Sequence, residues 1–509
     1  MSKPIGIDLG TTYSAIAVLD EFGKPEIVST DGERITPSGV AFPPDDSSLI
    51  LVGRDAKEAL QHEPETVVQG VKRSMGTDAK FPMRGAEYTP QQISSLVLKK
   101  LIEGAEKIHG KIESAVITVP ANFSEAARQA TMQAGEIAGI RVSNIINEPT
   151  AAALGFAASG NALSGTLMIY DLGGGTFDVT IAKVMGKTVE CITSQGDSRL
   201  GGTDFDRKLY EIIRDTFETE TGFSLPEKPD QAGKFYEFLD KAEGLKITLS
   251  KRDIARTTII LEDAGSCRVE INRSDFEEKI SNLIGKTEML VETALEDANM
   301  ETSDIDHILL VGGSTRVPAV RESIRKLMGK EPIDAVNPDE AVALGAAIFA
   351  GLKSDTLSAS QRQTLDHIKM SDVANHFYGT IAISYDEERD TAEPQVSVII
   401  PKDTPIPARR SETFRTISDG QTQVHVRITQ SAEDVDDPQF VNIVHEGYFK
   451  LPGGRPAGQA IIATYSYDEN QVMHCHFEDE SSGRTYDATL EKLGSTEEQS
   501  ASLGDFVIE

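Results

Sequence analysis

Two stretches of the chain place an acid, glycines and threonines directly after an apolar run. IGIDLGTTYSAI covers residues 5–16, and MIYDLGGGTFDVTI covers residues 168–181. Glycine lets a turn approach a ligand closely, and the N–H groups of such a turn can surround anionic oxygens. One turn of this kind is common in strand hairpins and needs no ligand, but a matched pair predicts a phosphate site formed by both.

The polar side chains beside the two turns suit phosphate and a hard metal ion. Threonine hydroxyls can donate hydrogen bonds to phosphate oxygens, and the threonines are Thr11, Thr12 and Thr176. Carboxylates can hold Mg²⁺ directly or through water, or orient an attacking water, and the acids are Asp8, Asp171 and Asp178. The two turns together therefore predict a site for a phosphate chain.

A third glycine-rich strand end, ILLVGGSTRVP, contains Arg316. Its flat guanidinium can stack on a base, although an arginine at a helix start can equally be only solvated. Two GKT triplets, at residues 186–188 and 285–287, lack the upstream glycine of a P-loop. His474 and His476 alternate on one predicted strand without a further ligand nearby, which favours an exposed strand face over a metal site.

The elements that must position these residues change character along the chain. Apolar strands alternate with amphipathic helices up to about Gly351, which predicts an α/β architecture. A polar stretch follows, and then short β-like runs with turn sequences predict an all-β sandwich or barrel. We expect four segments: an α/β domain over 1–352, a linker over 353–372, a β-sandwich over 373–493 and an acidic tail over 494–509.

The composition excludes several classes of protein. The 509 residues carry a net charge of −31, which argues against a general nucleic-acid binder. No apolar run is long enough to span a bilayer, and the N-terminus shows no secretion signal. The three cysteines form no C-x-x-C pair. We expect a cytoplasmic protein without nucleic-acid or membrane partners.

Nine motifs, spread over the first 350 residues in a fixed order, resemble those of the DnaK-type heat-shock chaperones, the heat shock protein 70 family. They are IGIDLGTTYS, DGERITPS, VKRSMG, VITVPANF, IINEPTAAALGF, DLGGGTFDV, LGGTDFD, VGGSTRVP and NPDEAVALGAA. The resemblance implies an actin-like ATPase domain, with two lobes around a nucleotide cleft, followed by an all-β sandwich domain. It also implies ATP or ADP as ligand, with Mg²⁺ and K⁺ as ions.

The resemblance assigns roles to individual residues of the α/β part. For catalysis it implies Lys72, Glu148, Asp171, Thr176 and Asp178. For the phosphates it implies Asp8, Gly10, Thr11, Thr12, Tyr13, Gly173, Gly174, Gly175, Thr176 and Gly202, with Asp8 and Asp171 near Mg²⁺, largely through water. For the adenosine it implies Glu243, Lys246, Ser250, Gly312, Gly313, Ser314, Arg316 and Asp339. Pro120 and Arg128 resemble the pair that carries the nucleotide state outward, and Ile368, Met370 and Asp372 lie in the linker.

The resemblance is weaker but traceable beyond the linker. It implies a cleft for an extended apolar peptide lined by Tyr378, Thr380, Phe414, Val424 and Val426, with Ile383 and Ile417 arching over it. The alternation of Val424, Val426 and Ile428 is equally consistent with plain sandwich core.

Four departures from the family pattern affect coupling more than ATP binding. The apolar linker run is replaced by residues 368–371, Ile-Lys-Met-Ser. Asn144 stands where many relatives have an arginine that docks J-domain partners, and Thr203 stands where a glutamate is usual. The family's helical lid has no counterpart in the sequence.

Three functions are consistent with the sequence. The first is an ATP-dependent chaperone that binds exposed apolar segments of unfolded chains and works with J-domain co-chaperones and nucleotide exchange factors. The second is a non-refolding regulatory or assembly adaptor that binds ATP with little turnover. The third, a small-molecule kinase or filament protein of the same superfamily, is disfavoured by the β part.

Overall fold

The computed structural model describes residues 3–46, 48–60, 62–158, 164–228, 234–261, 264–333, 337–386, 391–468, 471–490 and 507–508. The first elements are β1 (Ile5–Asp8), β2 (Tyr13–Leu19), β3 (Pro25–Val28), β4 (Thr36–Pro37), β5 (Val40–Ala41), β6 (Leu49–Val52), α1 (Arg54–Ala59), β7 (Val67–Val68), β8 (Phe81–Met83), β9 (Ala86–Tyr88), α2 (Pro90–His109), β10 (Ser114–Val119), α3 (Glu125–Ile137), β11 (Arg141–Asn147) and α4 (Glu148–Ala158).

The next elements are β12 (Gly165–Leu172), β13 (Phe177–Met185), β14 (Thr188–Asp197), α5 (Gly202–Thr221), α6 (Lys234–Leu249), β15 (Ile254–Leu261), β16 (Gly265–Asn272), α7 (Arg273–Asp297), β17 (His307–Val311), α8 (Pro318–Met328), α9 (Ala341–Leu352) and α10 (Ala359–Leu365). Short 3₁₀ turns are Pro64–Thr66, Val71–Ser74, Thr302–Asp304, Gly313–Arg316 and Pro438–Phe440.

The remaining elements are strands: β18 (Lys369–Val373), β19 (Phe377–Asp386), β20 (Thr391–Ile400), β21 (Pro405–Ile406), β22 (Ala408–Arg415), β23 (Gln423–Ser431), β24 (Asn442–Lys450), β25 (Ala460–Tyr467), β26 (Met473–Asp479), β27 (Arg484–Thr489) and β28 (Val507–Ile508). No helix within the described ranges is both long and apolar enough to cross a bilayer.

Two mixed sheets in the α/β part share a topology. One has the order β11-β10-β1-β2-β3, and the other has the order β17-β12-β13-β14-β18-β21. In each, three consecutive strands form an antiparallel meander, and a later strand pairs in parallel with the first strand of that meander. The first hairpin of each meander contains one of the two glycine–threonine turns, so the repeated sequence corresponds to a repeated structure.

Helices α4 and α9 lie between the two sheets. Buried side chains of β2, β12 and β17 belong to the same core cluster as those of the two helices. The helices approach so closely that a Cβ on Gly345 would collide with the Ala151 carbonyl. This contact fixes the two sheets, and hence the two turns, relative to each other.

The last part of the chain contains two four-stranded antiparallel sheets. Their orders are β20-β19-β23-β24 and β22-β25-β26-β27. Alternate side chains of both sheets meet in one core that includes Tyr378, Ile428, Phe449, Tyr465 and Phe477. The prediction of an all-β part after the linker agrees with this arrangement.

The segment 353–372, predicted as a linker, contains a helix and a strand that pack against the α/β part. Ser358 caps α10, and Gln361 and Thr364 donate hydrogen bonds to the carbonyls of Asp20 and Phe22. Strand β18 pairs in parallel with β14 and antiparallel with β21. Residues 494–506 and 509 of the predicted acidic tail lie outside the described residues, while β28 pairs with β6.

Candidate functional site

The two glycine–threonine turns face each other across one cavity. A Cβ on Gly174 would collide with the hydroxyl of Thr12, and a Cβ on Gly175 would collide with Thr11. Only glycine therefore permits this approach. Each turn is held internally, by a Gly10 N–H bond to the Ser14 hydroxyl (3.1 Å) and by a Gly173 N–H bond to the Thr176 carbonyl (3.0 Å).

The acids and the lysine predicted for catalysis meet beside the turns. Lys72, in the 3₁₀ turn Val71–Ser74, forms a buried ion pair with Glu148 at the start of α4. Asp171 and Asp178 face each other across the β12–β13 ladder. Asp8, at the end of β1, accepts a hydrogen bond of 3.1 Å from the Thr118 hydroxyl. Four carboxylates thus surround one ammonium group.

This excess of negative charge changes the protonation of the acids. Burial, followed by repulsion from Glu148, raises the pKa of Asp8 to about 7. The same two causes raise the pKa of Asp178 to about 8 and hold that of Asp171 well above its usual range. Burial opposes the charge on Lys72, but attraction to Glu148 and Asp8 outweighs it and raises the lysine pKa. The cluster lacks positive charge.

A divalent cation fits this cluster through water. Oδ1 of Asp178 is buried without a hydrogen-bond partner, and carboxylate oxygens are the ligands that Mg²⁺ prefers. Among the described residues no three His, Cys, Asp or Glu side chains are placed to bind one ion directly. Mg²⁺ usually keeps several of its waters, so the donor set agrees with an ion held largely through them.

The cavity between the turns continues toward the residues predicted for adenosine. Its volume is about 970 Å³, which is large enough for a nucleotide. It is lined by Asp8, Gly10, Thr11, Thr12, Tyr13, Lys72, Glu148, Asp171, Gly173, Gly174, Thr176, Glu243, Lys246, Ser250, Gly312, Gly313, Ser314, Arg316 and Asp339. Three predicted residues lie behind this wall: Gly175, Gly202 and Asp178.

Residues in the wall and next to it support the second turn. The Gly202 N–H donates to the Gly173 carbonyl at 3.0 Å, and the Ser314 hydroxyl donates to the same oxygen at 2.8 Å. Thr203, at the position where a glutamate was expected, donates its hydroxyl to the Gly174 carbonyl at 2.8 Å. The departure at this position therefore preserves a contact to the turn.

Polar contacts orient the side chains at the adenosine end. Arg316 donates to Asp339 (2.7 Å) and to Asn337 (3.0 Å), and about half of its side chain is exposed. These two bonds fix the guanidinium plane of Arg316 at the cavity wall, where it can stack on a base. At the same end, Lys246 pairs with Asp206 at 2.8 Å.

Sequence reasoning missed several residues of this end, and two of them bear on its structure. Lys57 on α1 donates to the Tyr13 hydroxyl (3.1 Å) and pairs with Glu243 on α6 (2.5 Å). Ile247 lines the cavity although 45% of it is exposed. The spacing of Glu243, Ile247 and Ser250 along α6 places them on one helix face, and that spacing was the available signal for Ile247.

A buried polar network links α3, β18 and the β-sandwich. Arg128, 1% exposed, donates to Asn147 (2.7 Å) and to the amide oxygen of Gln471. Asp372 accepts hydrogen bonds from Asn147 (2.9 Å), Thr150 (3.1 Å) and the Gln471 amide (3.1 Å). Burial raises the pKa of Asp372 despite these bonds.

The predicted switch and linker residues lie in or beside this network. Pro120 follows β10, and its carbonyl accepts from the Phe123 N–H at 3.2 Å. Ile368 is buried in the core between the two mixed sheets, and Met370 packs against it. Asn144 is buried on β11. The replacement of the usual linker run therefore keeps two apolar contacts with the α/β part.

The residues predicted for a peptide cleft are placed in three environments. Tyr378, Thr380 and Val426 are buried, and the Tyr378 hydroxyl accepts a bond from Gln430 at 3.1 Å. Phe414 and Val424 lie at the margin of the sandwich core. Ile383 and Ile417 are 46% and 68% exposed. The cleft as a whole stays a prediction.

Comparison with known proteins gives a consistent result. A family model described as Hsp70 protein matches residues 4–503. The chain is 40% identical over 488 residues to proteins named chaperone protein DnaK from Thermotoga neapolitana, Thermotoga petrophila and Thermotoga maritima. Each alignment covers 94% of this chain and 79% of the relative.

Proposed function

The chain belongs to the Hsp70 family, whose members are ATPases, and from this premise we propose that it is an ATP-driven chaperone for extended apolar polypeptide segments. The resemblance inferred from the motifs is confirmed. The observation that carries the proposal is the cavity in which two facing glycine–threonine turns meet the Lys72–Glu148 pair, Asp8 and Asp171. We propose an actin-like arrangement in which the two mixed sheets are the cores of two lobes around this cavity.

The residues of the cavity can bind and position an ATP molecule. The turns supply N–H and hydroxyl donors for the phosphate oxygens, and Arg316 supplies a flat face for the base. Lys72 supplies positive charge where the terminal phosphoryl group must lie if the turns hold the phosphate chain. Asp171, Asp178 and Glu148 can hold and orient the attacking water. Mg²⁺, when bound by Asp8 and Asp171 through water, would neutralise phosphate charge.

These roles agree with the needs of phosphoryl transfer. The transition state is largely dissociative, so catalysis consists mainly of positioning and of charge stabilisation rather than of covalent chemistry. Lys72 is fixed by its ion pair with Glu148, and Thr176 is fixed within its turn. Both groups are therefore in place before ATP binds, which lowers the cost of reorganisation.

Communication between nucleotide and peptide would pass through Arg128 and the linker. Asn147 directly precedes Glu148 of the cavity and contacts both Arg128 and Asp372. A shift at Glu148 on ATP hydrolysis would therefore reach the contacts that hold β18 and the sandwich. This path supports nucleotide-controlled peptide affinity in spite of the changed linker run.

The exposed side chains Ile383 and Ile417 support a peptide site on the sandwich, as do Phe414 and Val424, which are only partly buried at the margin of its core. We propose Val424→Phe as the test of its position. An added ring in the cleft should block an extended apolar peptide while basal ATP hydrolysis stays unchanged. Unchanged peptide affinity, together with the ~1 to 3 kcal/mol loss of stability usual for overpacking, would show that Val424 is core.

The experiment that tests the whole proposal is the ATPase rate of the full chain with and without an unfolded apolar peptide, measured together with ATP affinity. A chaperone should hydrolyse ATP and be stimulated by the peptide. Ile417→Asp should abolish the stimulation, whereas Phe440→Asp, at a 73% exposed position outside the predicted cleft, should not. Binding of ATP without turnover would favour the adaptor function instead.

Partners and location complete the proposal. We propose a J-domain co-chaperone and a nucleotide exchange factor as partners, with docking of the J domain altered at Asn144. We also propose a cytoplasmic location and K⁺ as an additional ion of the phosphate site.

A further inference from the structure

Strand β6 receives a short strand from a distant part of the chain. The small sheet that contains it has the order β28-β6-β5-β7. Val507 lies opposite Leu49 and Ile508 opposite Ile50 in a parallel register. The side chain of Ile508 packs against the core cluster that contains Ile50 and Val52. Without β28, β6 would be the edge of the sheet, with unpaired N–H and C=O groups.

We propose that β6 is a strand-addition site whose occupant is segment 507–508 of the same chain, and that this pairing restrains the nucleotide cavity. Main-chain hydrogen bonds supply affinity at such sites, and alternate side chains supply selectivity. Strand β6 reads Leu-Ile-Leu-Val and carries no charged side chain, so it favours an extended apolar strand as its occupant.

The composition of the segment supports this occupant. Residues 506–508 read Phe-Val-Ile, which are strong strand formers. An apolar strand therefore complements β6, which is itself apolar.

Strand β6 is connected to the nucleotide cavity through α1. Leu51 of β6 and Tyr236 of α6 both pack against the cluster that contains Ala56 and Leu60 of the α1 region. Lys57 of α1 reaches both Tyr13 and Glu243.

Tyr13 and Glu243 line the cavity, so α1 closes its adenosine side against α6. A strand that stabilises β6 should therefore slow the separation of α1 from α6 and the release of nucleotide. This second step rests on the proposed nucleotide site, whereas the strand site does not.

The test compares the full chain with Ile508→Asp, which places a charge against the core, and with Val507→Pro, which removes a main-chain donor. Ile260→Asp, a change of the same kind at a 63% exposed position on β15, is the matched control. We expect hydrogen exchange of the Leu49–Val52 amides to rise at least tenfold in both tail variants and to stay unchanged in the control. Release of a fluorescent N-methylanthraniloyl-ADP should become severalfold faster.

Each outcome decides one step. Equal exchange in β6 of the wild type and both tail variants would overturn the strand site. Faster exchange with unchanged ADP release would overturn the link between β6 and the cavity. If ADP does not bind at all, the proposed function is wrong, and the exchange data alone then decide whether the strand site exists. Protection of β6 that rises with protein concentration would assign the strand to a second copy and overturn the intramolecular pairing.

Discussion

Lys72 is the buried cation at the centre of four carboxylates, and its position explains why a lysine is needed there. A buried carboxylate cluster with no cation would be strongly destabilised. Lys72 pairs directly with Glu148 and is attracted by Asp8 and Asp171, so its ammonium group is held beside the two turns.

Lys72→Ala should remove most ATP turnover while leaving nucleotide affinity largely intact. Affinity is distributed over many backbone donors, whereas the charge on the terminal phosphoryl group comes from this side chain, so we expect a loss of about 100-fold or more in the single-turnover rate. Lys183→Ala, on the exposed face of β13, is the control. Wild-type hydrolysis in Lys72→Ala would show that the role is wrongly assigned.

The pKa of Asp178 makes a second prediction at this scale. Because the folded pKa is raised to about 8 from an ordinary value of 3.8, folding favours the protonated acid. Its contribution to stability is complete below about pH 4 and is lost as the pH rises through about 8. The nucleotide-free protein should therefore lose stability between about pH 4 and pH 8.

Asp178→Asn should flatten this loss and raise the free energy of unfolding at pH 8.5 by ~1 to 3 kcal/mol, because a buried charge with an unpaired oxygen is removed. Denaturant unfolding in chelator, without nucleotide, measures the effect. Asp215→Asn on the exposed face of α5 should behave as the wild type. An equal pH slope in Asp178→Asn and the wild type would contradict the raised pKa.

At the scale of elements, β18 shows why a polar segment can still be an integral strand. Within residues 368–371, Ile368 and Met370 pack against the core while Lys369 is exposed, so the composition of this run resembles that of a free linker. Its pairing with β14 joins residues about 180 positions apart in the chain. Local sequence patterns do not encode such a pairing, and the segment was consequently predicted only as a linker.

Ile368→Asp combined with Met370→Asp should abolish peptide stimulation of the ATPase and spare basal hydrolysis. The two charges would be buried against α/β core on docking, so β18 should leave β14 while the nucleotide cavity stays intact. Lys369→Asp on the solvent face is the matched control and should keep stimulation. Undiminished stimulation in the double variant would mean that coupling does not use β18.

The site residues were predictable to different degrees for physical reasons. The turns could be found from sequence because only glycine allows their close approach, and the requirement leaves a visible motif at residues 173–175. Lys57 could not be found, because a lysine on a short amphipathic helix usually faces solvent and its partner Glu243 lies on another element. Long-range charge pairs leave no local pattern.

At the scale of the whole molecule, the sandwich meets the α/β part at α3. The Glu125 N–H donates to the Gln430 amide oxygen at 3.2 Å, and Arg128 donates to Gln471. Glutamine side chains usually predict solvent contact, so sequence patterns gave no sign that these two are buried at the interface. The architecture of each part was predictable, but the surface between the parts was not.

Glu125 makes this interface sensitive to pH. It is 4% exposed, and its Oε2 is buried without a partner. Burial raises the pKa of Glu125 to about 7; the nearby Arg128 lowers it and repulsion from Asp468 raises it further, but burial dominates. His376, also near Arg128, has a pKa lowered to about 3 by burial and stays neutral. Docking of the sandwich should therefore take up one proton at Glu125.

The docked arrangement should consequently be favoured below pH 7 and weakened as the pH rises through about 7, because an undocked Glu125 regains an ordinary acidic pKa. Docking can be measured by resonance energy transfer between a label on α2, which packs against α3, and a label on β24. In the wild type the transfer efficiency should be lower at pH 8 than at pH 6. Glu125→Gln should dock equally at both values, since a neutral amide carries no burial penalty for charge. Glu136→Gln, near the far end of α3, should retain the wild-type pH dependence, and an unchanged pH dependence in Glu125→Gln would assign the effect to another group.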